Sequence, residues 1–288
     1  MDILIYGTVN SVVFALIAVG FTLVYGVSRV PNFAHGALYI LTGYIAWTFL
    51  NTLGINYGLA IIIALVIVAV IGAAIYQFLL IRVRGMPDSE IIASFAIGLA
   101  IMEGLRWGGF IGQAYIIPVF IEGAVEIAGV PIDFQRLIII GGGLAVVAFL
   151  WLFTHYTKVG LSLRAIAQDE RAAMMLGIDS DLTAVIALAL GSALAGVAAI
   201  AILPLGNITV ETGYNVLIYA IAVCIIGGLG SWPGAVMGAF VLGFAQILTV
   251  AYIAPQWTMV VVFLAIILTL ILRPSGLFGR QKELEERV

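Results

Sequence analysis

Apolar residues along this chain fall into long blocks separated by short polar breaks. Nine blocks can be marked, at residues 3–25, 36–50, 58–81, 91–110, 137–156, 182–203, 214–228, 235–253 and 257–272. A helix that crosses the hydrocarbon core needs about 20 mostly apolar residues. Two of the blocks fall short of that, so the pattern predicts eight or nine spanning helices in an all-α, polytopic membrane protein. Composition agrees: 64% of residues are hydrophobic and only 9% charged, with a mean hydropathy of +1.22, far from soluble globular usage. Nothing reads as a linker or low-complexity stretch. The expectation is one membrane domain, residues 1–272, followed by a short tail, residues 273–288.

Charge sets the expected orientation, because Lys and Arg concentrate in cytoplasmic loops. With the N-terminus outside, the inner segments carry Arg29, then Arg82 and Arg84, then Lys158, Arg164 and Arg171, then Arg273, Arg280, Lys282 and Arg287. Arg106 and Arg136 alone fall outside. The tail is then cytoplasmic. Asp2 stands where a signal peptide would be basic and the first block is long enough to span, so no cleaved leader is expected. The single Cys224 excludes an internal disulfide framework, and His35 has only His155 to join it, so no metal site is expected. The net charge of −3 gives no sign of nucleic-acid binding.

Transport against a gradient needs an energy source. The only lysines, Lys158 and Lys282, do not follow glycine, so no phosphate loop of the form GxxxxGK[ST] exists here. Coupling to an ion gradient usually places acids or histidines inside the spans, and most blocks have none. Asp88 or Ser89 is expected to cap the fourth block, with Asp88 and Glu90 at its positive end. Glu103 and Arg106 are three apart and can pair on one helix face. Glu211 sits in a polar turn and is read as solvated.

One inner segment, residues 157–181 (TKVGLSLRAIAQDERAAMMLGIDSD), gathers most of the internal charge. A short amphipathic helix fits it, with Leu163, Ile166, Ala167, Ala173 and Met174 to one side and Arg164, Gln168, Asp169 and Arg171 wet. Gly177 suits the left-handed position that ends such a helix, Ile178 can fold back, and residues 179–181 can cap the next span. The plain alternative is a helix lying on the bilayer. Its mixed acids and bases argue against that, since surface-seeking helices are usually basic.

These residues resemble a known family. The segment GLSLRAIAQDERAAMMLGID is similar to the cytoplasmic coupling loop of ABC importer permeases, with Ala172, Ala173 and Gly177 matching its Ala-Ala-x-x-x-Gly part. Together with NFAHG at residues 32–36, GGLGSWPGA at 227–235 and RPSGLFG at 273–279, the chain resembles the branched-chain amino acid permease family of LivH type. The resemblance implies an ABC importer permease fold in a prokaryotic plasma (inner) membrane. It implies a second related permease subunit, two cytoplasmic ABC ATPases that carry ATP and Mg, and a periplasmic or extracellular substrate-binding protein. The chain itself would bind no cofactor and catalyse no covalent chemistry. Arg164, Asp169, Glu170, Ala172, Ala173 and Gly177 are then the candidate ATPase-coupling residues. Substrates of the family are branched-chain and other neutral amino acids, with urea and short amides in related branches.

Two glycine-punctuated inner turns, residues 25–36 and 226–234, interrupt the apolar pattern at related places, which can mark a transport pathway and a parallel repeat. Asn32, Phe33, His35, Gly36, Gly230 and Gly234 are the candidate pathway or gate residues. For the second turn, Gly230, Gly234 and Gly238 at four-residue spacing also suit close helix packing. For the first, Asn32 and His35 need hydrogen-bond partners if buried. The outer segment 109–136 is where a binding protein would dock, with Arg106 and Arg136 as candidate contacts. A gradient-driven secondary transporter and a passive amide or urea channel remain the competing functions.

Overall fold

The structure, a computed structural model, describes residues 2–110, 115–127 and 130–279. Helix α1 (Asp2–Ser28) has no charged residue after Asp2, and a helix apolar on all sides is buried on all sides. It forms the axis of the molecule, 89% buried along its span, with α5 (Phe134–Tyr156), α8 (Ser180–Ile202), α9 (Thr212–Gly227) and α10 (Trp232–Tyr252) around it. Outside these, α2 (His35–Asn51) and α3 (Tyr57–Phe78) pack on α8, α4 (Pro87–Trp107) packs chiefly on α2, and α11 (Thr258–Leu272) lies against α9 and α10. Two short helices, α6 (Lys158–Gln168) and α7 (Glu170–Met175), sit at one end of the bundle.

The nine longer helices among the described residues coincide with the nine predicted blocks. Among the described residues six segments are long and apolar enough to cross a membrane by length and composition, built on α1, α3, α5, α8, α10 and α11. Helices α2 and α9, with 17 and 16 residues, reach only about 25 Å at 1.5 Å per residue. Tertiary structure explains why. His35, first in α2, lies level with Ile17, well inside the bundle, because residues 29–34 fold back into it. Arg29 makes that reversal with φ +58°, a left-handed conformation that costs a non-glycine residue about 1–2 kcal/mol. Helix α9 likewise starts inside, and a Cβ on Gly36 would strike the Gly213 carbonyl oxygen. The N-termini of α2 and α9 therefore meet in the interior and the two helices run to opposite ends.

Glycine permits the other close crossings. Gly20 and Gly191 bring α1 and α8 together, each so near the other's carbonyl that a Cβ would come within 3.0 Å. Gly243 lies on the Ser11 backbone, and Gly227 packs on Gly234 and Gly238. Gly230 does not join this packing row; it takes φ +78° in the turn, with only Tyr25 nearby.

The outer segment holds a short hairpin, β1 (Ala124–Ile127) paired antiparallel with β2 (Val130–Asp133), beside an otherwise helical fold. Two sequence expectations change. The start of α4 is capped neither by Asp88 nor by Ser89. Instead Glu90 reaches back to accept the Gly85 N–H at 2.8 Å, since Pro87 occupies the first turn. The two glycine turns are not counterparts either. Residues 29–34 re-enter the bundle, whereas 228–231 make a tight surface turn, held by the 273–279 segment through Leu277 N–H to Ile226 O and Phe278 N–H to Gly227 O, each 2.9 Å.

Candidate functional site

Two regions carry the polar chemistry: the α6–α7 element and the 29–36 turn. The predicted single helix over 157–181 is in fact two, broken at Asp169, which ends α6 and caps α7 by accepting the Ala172 N–H at 2.9 Å. Thr157 caps α6 on Gly160, and Asp179 caps α8 on Leu182. Gly177 takes φ +84°, with Ile178 N–H to Ala173 O at 3.1 Å and Gly177 N–H to Met174 O at 3.0 Å, the paired bonds of a Schellman cap. Every end is closed locally, so the element is stiff.

Its faces differ from the sequence expectation. Leu163, Ile166 and Ala173 are buried against the bundle, while Met174 faces out with Met175 and Leu176, the last two 89% and 82% exposed. Ala173, a candidate coupling residue, packs inward because a six-residue helix has one position to anchor it. Arg164 lies against the His155 carbonyl. Glu170 is tied inward too. Arg84, between α3 and α4, bonds Glu170, Ser180 and Asp181, and Ser180 Oγ donates to Glu170 Oε1 at 2.6 Å. Arg29 donates to the Ala167 carbonyl. Asp169, Ala172 and Gly177 remain exposed. Sequence reasoning counted Arg84 only as an inner charge; the acids it joins are 86 and 97 residues away, and no local pattern signals such a contact.

In the 29–36 turn both members of the polar pair have hydrogen-bond partners within the chain. Asn32 Oδ1 accepts the Ala34 N–H at 3.0 Å, Ser94 Oγ accepts the Phe33 N–H at 3.2 Å, and His35 Nε2 meets the Ile17 carbonyl at 3.1 Å. These bonds hold the re-entrant backbone in place of water. Beside it lies a cavity of about 20 Å³ lined by Ser28, Asn32, Tyr76, Glu90 and Ser94 among others, room for about one water. Gly230 and Gly234 sit apart from this turn, at the α9–α10 connection.

At the opposite end Arg106 pairs with Glu103, as its spacing predicted, and also with Glu211 at 3.0 Å. Glu211 is therefore not simply solvated; its carboxyl is held below the usual range by its own backbone hydrogen bond and then by Arg106. Arg136 pairs with Asp133 and lies over the Tyr6 ring. Both candidate docking cations thus have partners within the chain. Among the described residues no three His, Cys, Asp or Glu side chains could hold a metal ion. Cations sort to the two ends, with Arg29 and Arg84 at the α7 end and Arg106 and Arg136 at the other; Arg280, Lys282 and Arg287 lie outside the described residues.

Residues 3–270 match the family described as the permease component of the branched-chain amino acid transport system. This chain belongs to that family. Its relatives include the high-affinity branched-chain amino acid transport system permease protein LivH of Escherichia coli K12, 33% identical over 93% of this chain and 91% of the relative. BraD of Pseudomonas aeruginosa, described in the same terms, is 31% identical over 96% and 95%. A probable LivH of Methanocaldococcus jannaschii is 32% identical over 92% and 88%. The solved structure of PsaBC from Streptococcus pneumoniae, in complex with Fab, matches with a TM-score of 0.52 and 14% identity over 99% of this chain and 96% of that one. That likeness speaks for the fold alone. The family's permeases work within ABC transporters, and this member is a multi-pass membrane protein.

Proposed function

We propose that this chain is the membrane-spanning permease subunit of an ABC importer, moving branched-chain or other neutral amino acids by alternating access. The observation that carries this is a family match running from residue 3 to residue 270, around a capped, rigid α6–α7 element that presents Met175 and Leu176 outward. In this reading α7 docks on one of two cytoplasmic ATPases, which bind ATP and Mg, while a second related permease completes the pathway. The α7 end faces the cytoplasm and the N-terminus lies outside, consistent with the sorting of cations. A substrate-binding protein delivers cargo on the hairpin side. The chain needs no cofactor and performs no covalent step. Few ionisable side chains in the spans suits a zwitterionic or neutral solute.

Proteoliposomes holding this chain with its partner subunits should take up L-leucine only when ATP and the binding protein are both present. Leucine uptake by the chain alone under a proton or sodium gradient would replace this reading with a secondary carrier. Saturable, gradient-independent leak of urea or acetamide would replace it with a channel.

A further inference from the structure

Helix α7 is fixed at its ends by local caps, Asp169 before it and Gly177 after it, yet only Ala173 of its six residues is buried. The guanidinium of Arg84 ties its first residue to the bundle. That group joins Glu170 at the start of α7 to Ser180 and Asp181 in the first turn of α8. The backbone behind it is held as firmly. Gly85 takes φ +82° and gives its N–H to Glu90 of α4, so Arg84 moves with α4. One turn further along α4, Ser94 accepts the Phe33 N–H, and Gly98 lies 3.2 Å, measured to a Cβ it lacks, from the Ala34 Cα. A continuous set of contacts thus runs from α7 through Arg84 and α4 to the re-entrant turn before α2.

We propose that Arg84 is a positioning residue of the transport cycle, the joint through which displacement of α7 reaches α4 and the 29–34 turn. This rests on the reading of α7 as the ATPase-coupling element. Half-exposed ion pairs contribute only about 0–1 kcal/mol to stability, and the guanidinium and its two carboxylates are 31–49% exposed. The network therefore does little for the fold. Its planar fork does fix a direction, since three acceptors on two helices can be met together in one orientation only.

The test is made on the assembled transporter in proteoliposomes, reading L-leucine delivered per ATP hydrolysed and the amount of ATPase retained in the complex. Arg84→Gln and, as a milder change, Glu170→Gln should each lower leucine per ATP by about fivefold or more while ATPase retention stays at the wild-type level. Arg84→Lys should recover part of the ratio, and the double variant Arg84→Gln/Glu170→Gln should be no worse than the worse single. A purely structural role would reduce the amount of complex and leave the ratio intact. An unchanged ratio in both single variants overturns the proposal, as does loss of the ATPase from an otherwise folded Glu170→Gln complex. Met175→Asp, on the exposed tip, separates the two readings: if it abolishes uptake while Arg84→Gln does not change the ratio, the Arg84 joint alone falls. If Met175→Asp also leaves uptake and ATPase binding unchanged, the coupling role of α7 falls with it.

Discussion

Gly177 offers the sharpest perturbation of the coupling element. It ends α7 at φ +84°, and a Cβ placed there meets nothing within 4 Å, so a substitution acts through the backbone alone. A left-handed residue with a Cβ costs about 1–2 kcal/mol, and a β-branched one is a genuine outlier there. The cost falls on the two cap bonds, Ile178 N–H to Ala173 O and Gly177 N–H to Met174 O. A change of one or two kcal/mol shifts a local equilibrium by a factor of about 5–30, enough to leave the last turn of so short a helix open much of the time. Gly177→Val should therefore lower ATP-driven leucine uptake while the amount of inserted protein stays normal. Gly177→Asn, whose side chain tolerates the left-handed region, should lie close to wild type, and Gly177→Ala between them. Uptake would be measured at matched protein levels together with ATPase activity. Normal uptake by Gly177→Val, or equal losses for Val and Asn, would refute the argument that cap geometry transmits force.

Asp169→Ala removes the residue that separates α6 from α7 and should cost about 1 kcal/mol of local stability, seen as faster hydrogen exchange at Ala172 and Ala173, with Asp169→Asn restoring protection. Gly36→Ala drives a methyl into the Gly213 carbonyl and should destabilise the protein by about 1–3 kcal/mol, lowering its melting temperature in detergent. Gly142→Ala, on α5 with nothing within 4 Å of its Cβ, should instead gain about 0.5–1 kcal/mol from helix propensity; a loss there would count against the packing assigned to α5. Glu211 has a carboxyl pKa held low in the folded state, so its contribution is present above the ordinary carboxylate range and lost as pH falls through the depressed value. Acidification below that range should loosen the junction of α4 and α9 in wild type, and Glu211→Gln should show the loosened exchange pattern already at neutral pH.

The re-entrant turn and the Arg84 network share a physical logic. A backbone that leaves helical geometry inside a membrane protein must have each N–H and C=O met by protein groups. Ser94 and Asn32 do so for the Phe33 and Ala34 N–H groups, and the His35 ring anchors the turn to the Ile17 carbonyl, so the turn changes shape by exchanging those partners. That ties the turn to α4 through Ser94 and to α1 through Ile17. Both helices reach the α7 end, where Arg84 and Arg29 contact the coupling element.

Hydropathy by itself placed the long helices and left their count at eight or nine, because lipid demands unbroken apolar length and each helix closes its own backbone bonds. Local chemistry also determined the end of α7, since few residues other than glycine accept the left-handed turn at position 177. The charge count anticipated how cations divide between the two ends of the bundle. Tertiary structure alone decided the rest. Periodicity could not show that α7 is a separate helix, because Asp169 caps as readily as it continues a polar face. Nor could it show that Ala173 turns inward or that the starts of α2 and α9 meet at Gly36 and Gly213. Arg84 gained its partners only when α3, α7 and α8 came together, across separations of 86 and 97 residues. Spans follow from the solvent each residue must face, which a sequence records residue by residue; joints follow from which distant groups the packing brings within a few ångströms.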